Sequence, residues 1–582
     1  MHETVFVQLA AILVLGILGN WISWKIHLPA ILILLLTGFL IGPVLQWINP
    51  DQLFGEGLFP IVSLSVAIIL FEGGLSLSYK QLKDLKAVVL RLVTMGVVLT
   101  FVLISLAAHY LLGLNLKIAI LLGSILVVTG PTVIVPLLHN LRVKRDIGQA
   151  ILWEGIINDP IGATMALIVF EVIIAKSLEQ AIAVLLLAIF KTILMGTLLG
   201  ALGAFVLIFL MKRYWLPDFL HNPVTLMILI IVFGLANHFQ PESGLLAVTL
   251  MGIFMANQRV VPISHILEFK ENLRLILIAV LFIILSARLN LKDIPFSEPS
   301  AYLFLATLIL IVRPLVISLS TIGTSLNWRE KVLLFWMAHR GIIAAAVSSI
   351  FGIYLMEKGE PQGAQLMSYT FFVIVSTVTF YGLTAGKVAN YLKLSFANPQ
   401  GILMIGAHNW GRKLARFLKE QGINIILVDS NKHNVKLARK EGCEAYEGNI
   451  LSESFQDSLD LSETGKLFAL TSNDEVNTLA CLHYAEIFGR RNIFQIAYHE
   501  PELATDFEPL PGWRGRILFN KQITYDRIED LLSRNAEFCV FSITEKSSFN
   551  EFLEAGEERL PLILRKPDGT LEVWAEDIPP EP

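Results

Sequence analysis

Two carboxylates and one amide stand close together within a long apolar stretch. Glu154 precedes Asn158 by four residues, and Asp159 follows at once, in largely apolar sequence from 147 to 175. An ionisable side chain inside a bilayer is costly and marks a functional site by default. A buried carboxylate on a membrane-spanning helix can hold a cation or a proton. A carboxylate that must choose between the two predicts an exchanger.

The three side chains have different predicted roles. Asp159 beside Asn158 is predicted to bind the cation, in preference to forming a capped kink before Pro160, because an acid without a partner in lipid is costly. Glu154 lies one helical turn before Asn158, and we expect it to form a structural ion pair with Arg313. Leaving either charge of that pair alone in the membrane would be strongly unfavourable.

Two other charges in apolar sequence have less specific interpretations. Glu72, in the run Phe71-Glu-Gly-Gly-Leu75, lies near the predicted cytoplasmic end of its span. It either lines a vestibule through which the cation enters or is simply solvated. Lys191 is expected to extend toward the membrane surface or to form an ion pair rather than to take part in transport.

The composition divides the chain into an apolar part and an acidic part. Of 582 residues, 54% are hydrophobic and 16% charged, and the mean hydropathy of +0.65 indicates a protein with many membrane spans. Residues from 393 onward carry 21 Lys and Arg against 30 Asp and Glu, which leaves 24 and 19 in residues 1–392. The acidic balance of the second part argues against nucleic acid as a partner.

Hydropathy predicts thirteen membrane spans in residues 1–392. Connections after odd-numbered spans hold sixteen Lys and Arg residues, and connections after even-numbered spans hold five. Because positive residues stay in the cytoplasm, this asymmetry places the C-terminal part on the cytoplasmic side and the N-terminus outside. Thirteen spans divide into two sets of six around a linker, as expected for a transporter built from inverted repeats.

The fifth span of each set is interrupted at a comparable position. The first interruption reads Val128-Thr-Gly-Pro-Thr132 and the second Ala338-His-Arg-Gly-Ile342. Paired interruptions of this kind point to a transport site between half-helices. We expect Thr129 to contribute to that site and the charge of Arg340 to compensate the exposed carbonyl ends.

The pattern changes to alternating strands and helices after residue 400. A strand at Ile402–Ile405 leads into Gly406-Ala-His-Asn-Trp-Gly411, which opens a helix, and a second strand ends at Asp429. A glycine turn before a helix, with an acid about twenty residues later, is typical of dinucleotide binding in a doubly wound α/β domain. His408 replaces the middle glycine of the usual fingerprint and alters the approach of the backbone to a pyrophosphate.

These membrane motifs together resemble the cation:proton antiporter-1 family of sodium/proton exchangers. The resemblance covers the whole membrane part. It implies that Asp159 binds the cation and the proton alternately, that Asn158 stabilises its surroundings, and that Glu154 pairs with Arg313. An Asn-Asp pair also implies electroneutral exchange. The family usually has Thr-Asp-Pro at the first break, where this chain has Thr129-Gly-Pro131, so Asp159 is left as the site carboxylate.

The segment 400–520 resembles a regulator of potassium conductance domain of the TrkA N-terminal type. The resemblance rests on the glycine turn, on Gly448-Asn449 and on Thr471–Asn477. It implies a homodimer in which NAD(H) or an adenine nucleotide regulates the membrane part without a catalytic cofactor. Gly406, His408, Gly411 and Asp429 would then be the binding residues, and Asp429 favours NAD(H) over NADP(H).

We therefore expect a transmembrane domain over 1–392, a Rossmann-like regulatory domain over 400–520 and a small α+β segment over 521–582. The expected function is Na+/H+ exchange across the cell (inner) membrane, with K+/H+ exchange as the alternative. A potassium channel would need a filter run of carbonyls like TVGYG, which the sequence lacks. A membrane redox enzyme would need paired haem-ligand histidines, which are also missing. A glutathione-gated potassium efflux system would carry different membrane motifs.

Overall fold

The protein is described by a computed structural model in which the described residues form two compact units, Met1–Ser395 and Phe396–Pro582. Each unit is considered by itself below. The described residues are all those of the chain except 1, 27, 29, 80–84, 131–137, 139–142, 144, 175–177, 259, 262, 289–294, 325, 339, 396–398, 453–454, 456–458, 500–513, 544–559 and 578–582.

The first unit is helical, as its continuous apolar sequence requires, because a backbone in lipid must satisfy its own hydrogen bonds. Eight of its described helices are long and apolar enough to cross a membrane, and five shorter apolar helices accompany them. This confirms the predicted helical membrane fold, whereas the number of thirteen spans stays a prediction. The α-helices are α1 His2–Ile26, α2 Ala30–Phe39, α3 Pro50–Phe54, α4 Leu58–Leu75, α5 Lys86–Arg91, α6 Val97–Leu112, α7 Leu116–Ile125, α8 Arg145–Ile174, α9 Leu178–Lys212, α10 His221–Phe239, α11 Ser243–Asn257, α12 Ser264–Ala287, α13 Pro299–Thr307, α14 Arg313–Ser320, α15 Trp328–Trp336, α16 Ile342–Glu357 and α17 Gly363–Tyr391.

Both predicted interruptions begin where a helix ends. Helix α7 ends at Ile125, and the chain is non-helical by Val128. Helix α15 ends at Trp336, and α16 starts only at Ile342. Pro131 and His339 of the two motifs lie outside the described residues. Helix α8, by contrast, runs through Pro160 without interruption.

Among the described residues of the first unit, three short π-helical turns widen the helices, at Leu40–Val44, Leu92–Gly96 and Leu308–Val312. The last of them leads directly into Arg313, the first residue of α14. A π turn inserts a residue into the helical repeat and thereby changes the direction of the side chains that follow. It therefore helps to set the direction in which Arg313 projects.

The second unit contains a six-stranded parallel sheet in the order β3-β2-β1-β4-β5-β6. This confirms the predicted doubly wound α/β domain, and the strand order reverses between β1 and β4, where such sheets bind ligands. A separate two-stranded antiparallel hairpin follows. The elements are β1 Gly401–Ile405, α18 Asn409–Glu420, β2 Ile425–Asp429, α19 Lys432–Lys440, β3 Glu444–Glu447, β4 Thr464–Ala469, α20 Asp474–Phe488, β5 Ile493–Gln495, β6 Arg516–Ile517, α21 Tyr525–Ser533, β7 Ile563–Arg565 and β8 Leu571–Val573.

The last part of the chain packs onto this sheet. Ile528 of α21 and Val573 of β8 share one apolar core with Met404 of β1. Ala575 forms an antiparallel bridge with Leu518, just after β6. The segment after residue 520 thus covers the same domain that carries the glycine turn, and it brings α21 close to the carboxyl ends of the strands.

Candidate functional site

Asp159 and Asn158 lie in the middle of α8 and are buried, with Asp159 only 1% exposed. One side-chain oxygen of each, Oδ1, has no hydrogen-bond partner among the described residues. Burying such acceptors without a partner is unfavourable unless something donates to them or coordinates them. A proton or a cation would satisfy the carboxylate of Asp159.

The first break lies directly against the turn of α8 that carries these residues. The hydroxyl of buried Thr129 donates to the carbonyl oxygen of Gly155 at 3.2 Å. One turn after Asp159, a Cβ on Gly162 would lie 2.6 Å from Val128 Cγ2 and 2.9 Å from its backbone nitrogen. The non-helical backbone and the buried acid therefore share one small region, which supplies oxygen ligands for a monovalent cation.

The two breaks also touch each other. A Cβ on Gly130 would lie 2.7 Å from Gly341 Cα and 3.0 Å from its backbone nitrogen. No real Cβ approaches a backbone so closely, so both positions require glycine in this arrangement. The predicted halves of the membrane part meet at this crossing of non-helical chain.

Glu154 and Arg313 form a buried ion pair with two parallel hydrogen bonds. Nη1 of Arg313 donates to Oε1 of Glu154 at 2.5 Å, and Nη2 donates to Oε2 at 2.8 Å. Nη2 also donates to the carbonyl oxygen of Leu334 at 3.1 Å. The arginine thereby connects α8, α14 and α15 just before the second break. Each charge is compensated by the other, so neither is available as the cation site.

Arg340 lies in the second break and is 5% exposed. It interacts electrostatically with Arg313, Glu154 and Tyr381. A cation at a break can compensate the partial negative charge of unpaired carbonyl groups at a helix end. This placement agrees with the compensating role predicted for Arg340, which stays a prediction.

Glu72 is not solvated, which corrects one of its two sequence interpretations. Its Oε1 lies 2.8 Å from Nη1 of Arg274, a residue of α12, and the glutamate is buried. A pair between residues two hundred positions apart has no local sequence signal. Glu72 and Glu154 each lie beside an arginine, whereas Asp159 is buried without a basic partner in the described part of the chain.

In the second unit the glycine turn has the predicted geometry. Gly406 has φ +109°, a left-handed conformation that favours glycine. Gly411 lies against the carbonyl oxygen of Gly406, where a side chain would collide with it. The turn therefore leads β1 tightly into α18, whose free N–H groups are the place where a nucleotide phosphate normally binds.

His408 occupies that place. It is the capping residue of α18, and its Nδ1 accepts a hydrogen bond from the N–H of Gly411 at 3.2 Å. Its Nε2 lies 2.7 Å from the carbonyl oxygen of Leu470, at the end of β4. The imidazole thus spans the crevice between β1 and β4, at the place where a nucleotide phosphate would approach the N-terminus of α18.

Asp429 is largely engaged by its own loop. Its Oδ2 accepts from the N–H of Ala407 at 2.8 Å and from Nδ2 of Asn434 at 3.0 Å, and its Oδ1 accepts from the N–H of Asn431 at 2.8 Å. A carboxylate oxygen has room for about two donors. One position on Oδ1 therefore remains for a ribose hydroxyl, so the ribose end of the crevice fits a nucleotide better than the phosphate end.

A model of the family described as "Sodium/hydrogen exchanger, transmembrane" matches residues 9–390. The chain belongs to the sodium/hydrogen exchanger family. Members of this family are secondary transporters and not enzymes. A model of the TrkA-N domain matches residues 402–507, so this exchanger carries a TrkA-N domain after its membrane part.

Similar proteins include exchangers that are named for different cations. The chain is 26% identical to the K(+)/H(+) antiporter NhaP of Alkalimonas amylolytica, over 68% of this chain and 67% of that protein. It is 24% identical to the Na(+)/H(+) antiporter 1 of Methanocaldococcus jannaschii, over 65% and 93%. The solved sodium proton antiporter MjNhaP1 from that organism matches with a TM-score of 0.58 and 22% identity, covering 67% of this chain and 99% of that one. This last likeness confirms the fold of the exchanger part.

Thr129, Asp159 and Asn158, predicted from the sequence as site residues, lie in one region of the structure, and Glu154 lies against Arg313. Their roles in transport stay predictions, and three contacts had not been predicted. The missed contacts are the crossing of the two breaks, the partner of Glu72 and the capping role of the His408 ring. The crossing of the two breaks did have a signal in the sequence, because a glycine, Gly130 or Gly341, lies in each break.

Proposed function

We propose that the protein is a monovalent cation/proton antiporter in which one cation and one proton compete for Asp159. The observation that carries this proposal is a buried carboxylate, 1% exposed and without a basic partner in the described residues, beside a broken helix. A carboxylate in that position is stable when it is protonated or when a cation compensates it. Binding one therefore displaces the other.

Exchange follows from this competition and from alternating access. When the site faces one side of the membrane, Asp159 takes up a cation and releases its proton. When it faces the other side, the reverse occurs. Asn158 stabilises the surroundings of the acid, Thr129 and the carbonyl groups of the buried break supply neutral oxygens, and the Glu154–Arg313 pair holds the core helices together. One titrating acid implies one cation for one proton.

Na+ is the proposed cation, and K+ is the alternative. The description of the matching family and the name of the Methanocaldococcus jannaschii relative support sodium. The name of the relative from Alkalimonas amylolytica supports potassium. Proton flux in everted membrane vesicles, measured after separate additions of Na+, K+ and Li+, decides the choice. A response to K+ but not to Na+ would overturn the sodium assignment.

We further propose that the membrane part lies in the cell (inner) membrane, that the second unit lies in the cytoplasm, and that the chain acts as a homodimer. The positive residues in the connections after odd-numbered spans support this orientation. The TrkA-N match suggests regulation by NAD(H) or an adenine nucleotide. Asp429 is the residue that would face the ribose, whereas the phosphate end is filled by His408.

A further inference from the structure

The imidazole of His408 is held in one definite protonation state. The N–H of Gly411 can only donate, so Nδ1 must be the unprotonated nitrogen that accepts. The carbonyl oxygen of Leu470 can only accept, so Nε2 must carry the proton. These two contacts define a neutral ring with its hydrogen on Nε2. A ring protonated on both nitrogens cannot make the contact with Gly411.

Two aromatic rings enclose this imidazole. The centroid of Trp410 lies 4.5 Å from that of His408, and the centroid of Tyr525 lies at 5.0 Å in an edge-to-face arrangement. Tyr525 begins α21, which belongs to the segment after the sheet. The phosphate-binding position at the N-terminus of α18, which we call the seat, is thus occupied by His408. Tyr525, from a distant part of the chain, covers it.

The charged groups around the ring act in both directions. Asp429 favours the protonated form and Arg412 disfavours it, but burial dominates and lowers the pKa of His408 below its usual value. Behind Tyr525, His499 stacks on the tyrosine ring. His499 lies within 3.5 Å of two carboxylates, and these belong to Asp474 of α20 and Asp526 of α21.

We propose that His408 is a proton-operated plug of the nucleotide crevice. As a neutral imidazole it occupies the seat that a nucleotide phosphate needs at the start of α18. A proton on Nδ1 breaks its contact with Gly411 and releases it from that seat. The inference extends the proposed nucleotide regulation, and it is independent of exchange at Asp159.

The direction of the pH effect follows from the lowered pKa. Because the folded domain prefers the neutral ring, this contribution to stability is complete above the unfolded pKa of about 6.5. It is lost progressively as the pH falls from there toward the lower folded-state pKa of His408. Acidification therefore opens the plug, and an alkaline cytoplasm keeps it closed. For a protein that moves protons, this arrangement would make the second unit a sensor of cytoplasmic acid.

Ligand binding to the full chain in detergent tests the plug. NADH is titrated into the wild type, His408→Gln and His408→Gly at about pH 8 and about pH 5.5, on either side of the usual imidazole pKa. Glutamine can accept and donate as the neutral ring does but does not titrate. We expect wild type to bind NADH at least about tenfold more tightly at the lower pH, as a one-proton linkage allows. His408→Gln should bind weakly at both values, and His408→Gly should bind at both.

Inorganic phosphate and AMP, titrated in the same way, show whether the seat selects a nucleotide or any phosphate. Equal NADH affinity of the wild type at both pH values would overturn the proposal, as would a pH dependence that survives in His408→Gln. An absence of binding in every variant, His408→Gly included, would overturn the claim that the ring excludes a phosphate.

Hydrogen exchange, measured without any ligand, tests directly whether acid releases the His408 ring from Gly411. Hydrogen exchange of the peptide that contains Gly411, corrected for the intrinsic pH dependence of exchange, should show protection at high pH that is lost on acidification. In His408→Gln the protection should not change with pH. Protection that is unchanged in the wild type across this range would contradict release of the ring.

Discussion

Gly130 and Gly341 touch backbone to backbone where the two broken spans cross. A Cβ on Gly341 would lie 2.6 Å from Gly130 Cα, and a Cβ on Gly130 would lie 2.7 Å from Gly341 Cα. Related exchangers usually carry an aspartate at the first of these positions, as the resemblance implied. In this chain the close crossing leaves no room for that side chain, which leaves Asp159 as the carboxylate of the proposed site.

Gly130→Ala should impair the protein because the new methyl group must separate the two breaks. Overpacking of this kind typically costs about 1–3 kcal/mol. We expect a lower thermal stability in detergent and slower exchange. Gly130→Asp should be at least as harmful and should not add a second functional acid. Gly234→Ala is the matched control, since nothing lies within 4 Å of a Cβ at that position. Normal exchange by Gly130→Asp would contradict the tight crossing.

Glu154→Gln should destabilise the membrane unit by leaving Arg313 buried without its counter-charge. Breaking a buried pair from one side typically costs about 3–5 kcal/mol. The yield of monodisperse protein in size-exclusion chromatography should fall, and the double variant Glu154→Arg with Arg313→Glu should recover part of it. The control is Asp51→Asn, which breaks a pair with Arg288 whose acid is 54% exposed. A Glu154→Gln variant as stable as wild type would mean that the pair has no structural role.

Asp429→Ala should weaken the second unit even without a nucleotide. The substitution leaves the N–H groups of Ala407 and Asn431 without their acceptor. Each lost hydrogen bond to a charged group is worth about 1.5–3 kcal/mol. We expect faster proteolysis of the loop after β1, and Asp429→Asn should restore part of the protection. If Asp429→Ala is as resistant as the wild type, the carboxylate is free for a ligand and does not hold its own loop.

Exchange should carry no net charge, because one titrating acid moves either one cation or one proton. In K+-free proteoliposomes a membrane potential set with a gradient of a permeant anion such as thiocyanate should leave Na+-driven proton flux unchanged. The apparent affinity for the cation should fall as the pH drops, since protons compete for Asp159. A flux that follows the imposed voltage would refute the one-for-one stoichiometry.

The sequence predicted the elements better than the contacts between them. The apolar runs and the alternating pattern of strands and helices after residue 400 predicted both units. The spacing of apolar residues and the length of each element are local properties of the sequence. The break at Arg340 and the acid at Asp159 were also visible, since charges and breakers are conspicuous in apolar sequence. The partner of Glu72 and the ring position of His408 depend on chain segments far away in sequence. No local pattern contains that information.

Replacing Asp159 by asparagine tests the central claim most directly, because it removes the titrating charge and keeps the shape of the side chain. Asp159→Asn and the wild type are reconstituted in parallel, and proton flux is recorded on addition of Na+ and of K+. We expect the variant to be folded and monodisperse and to show no cation-dependent proton flux above empty liposomes. Cation-dependent flux in Asp159→Asn above that background would contradict exchange through this carboxylate.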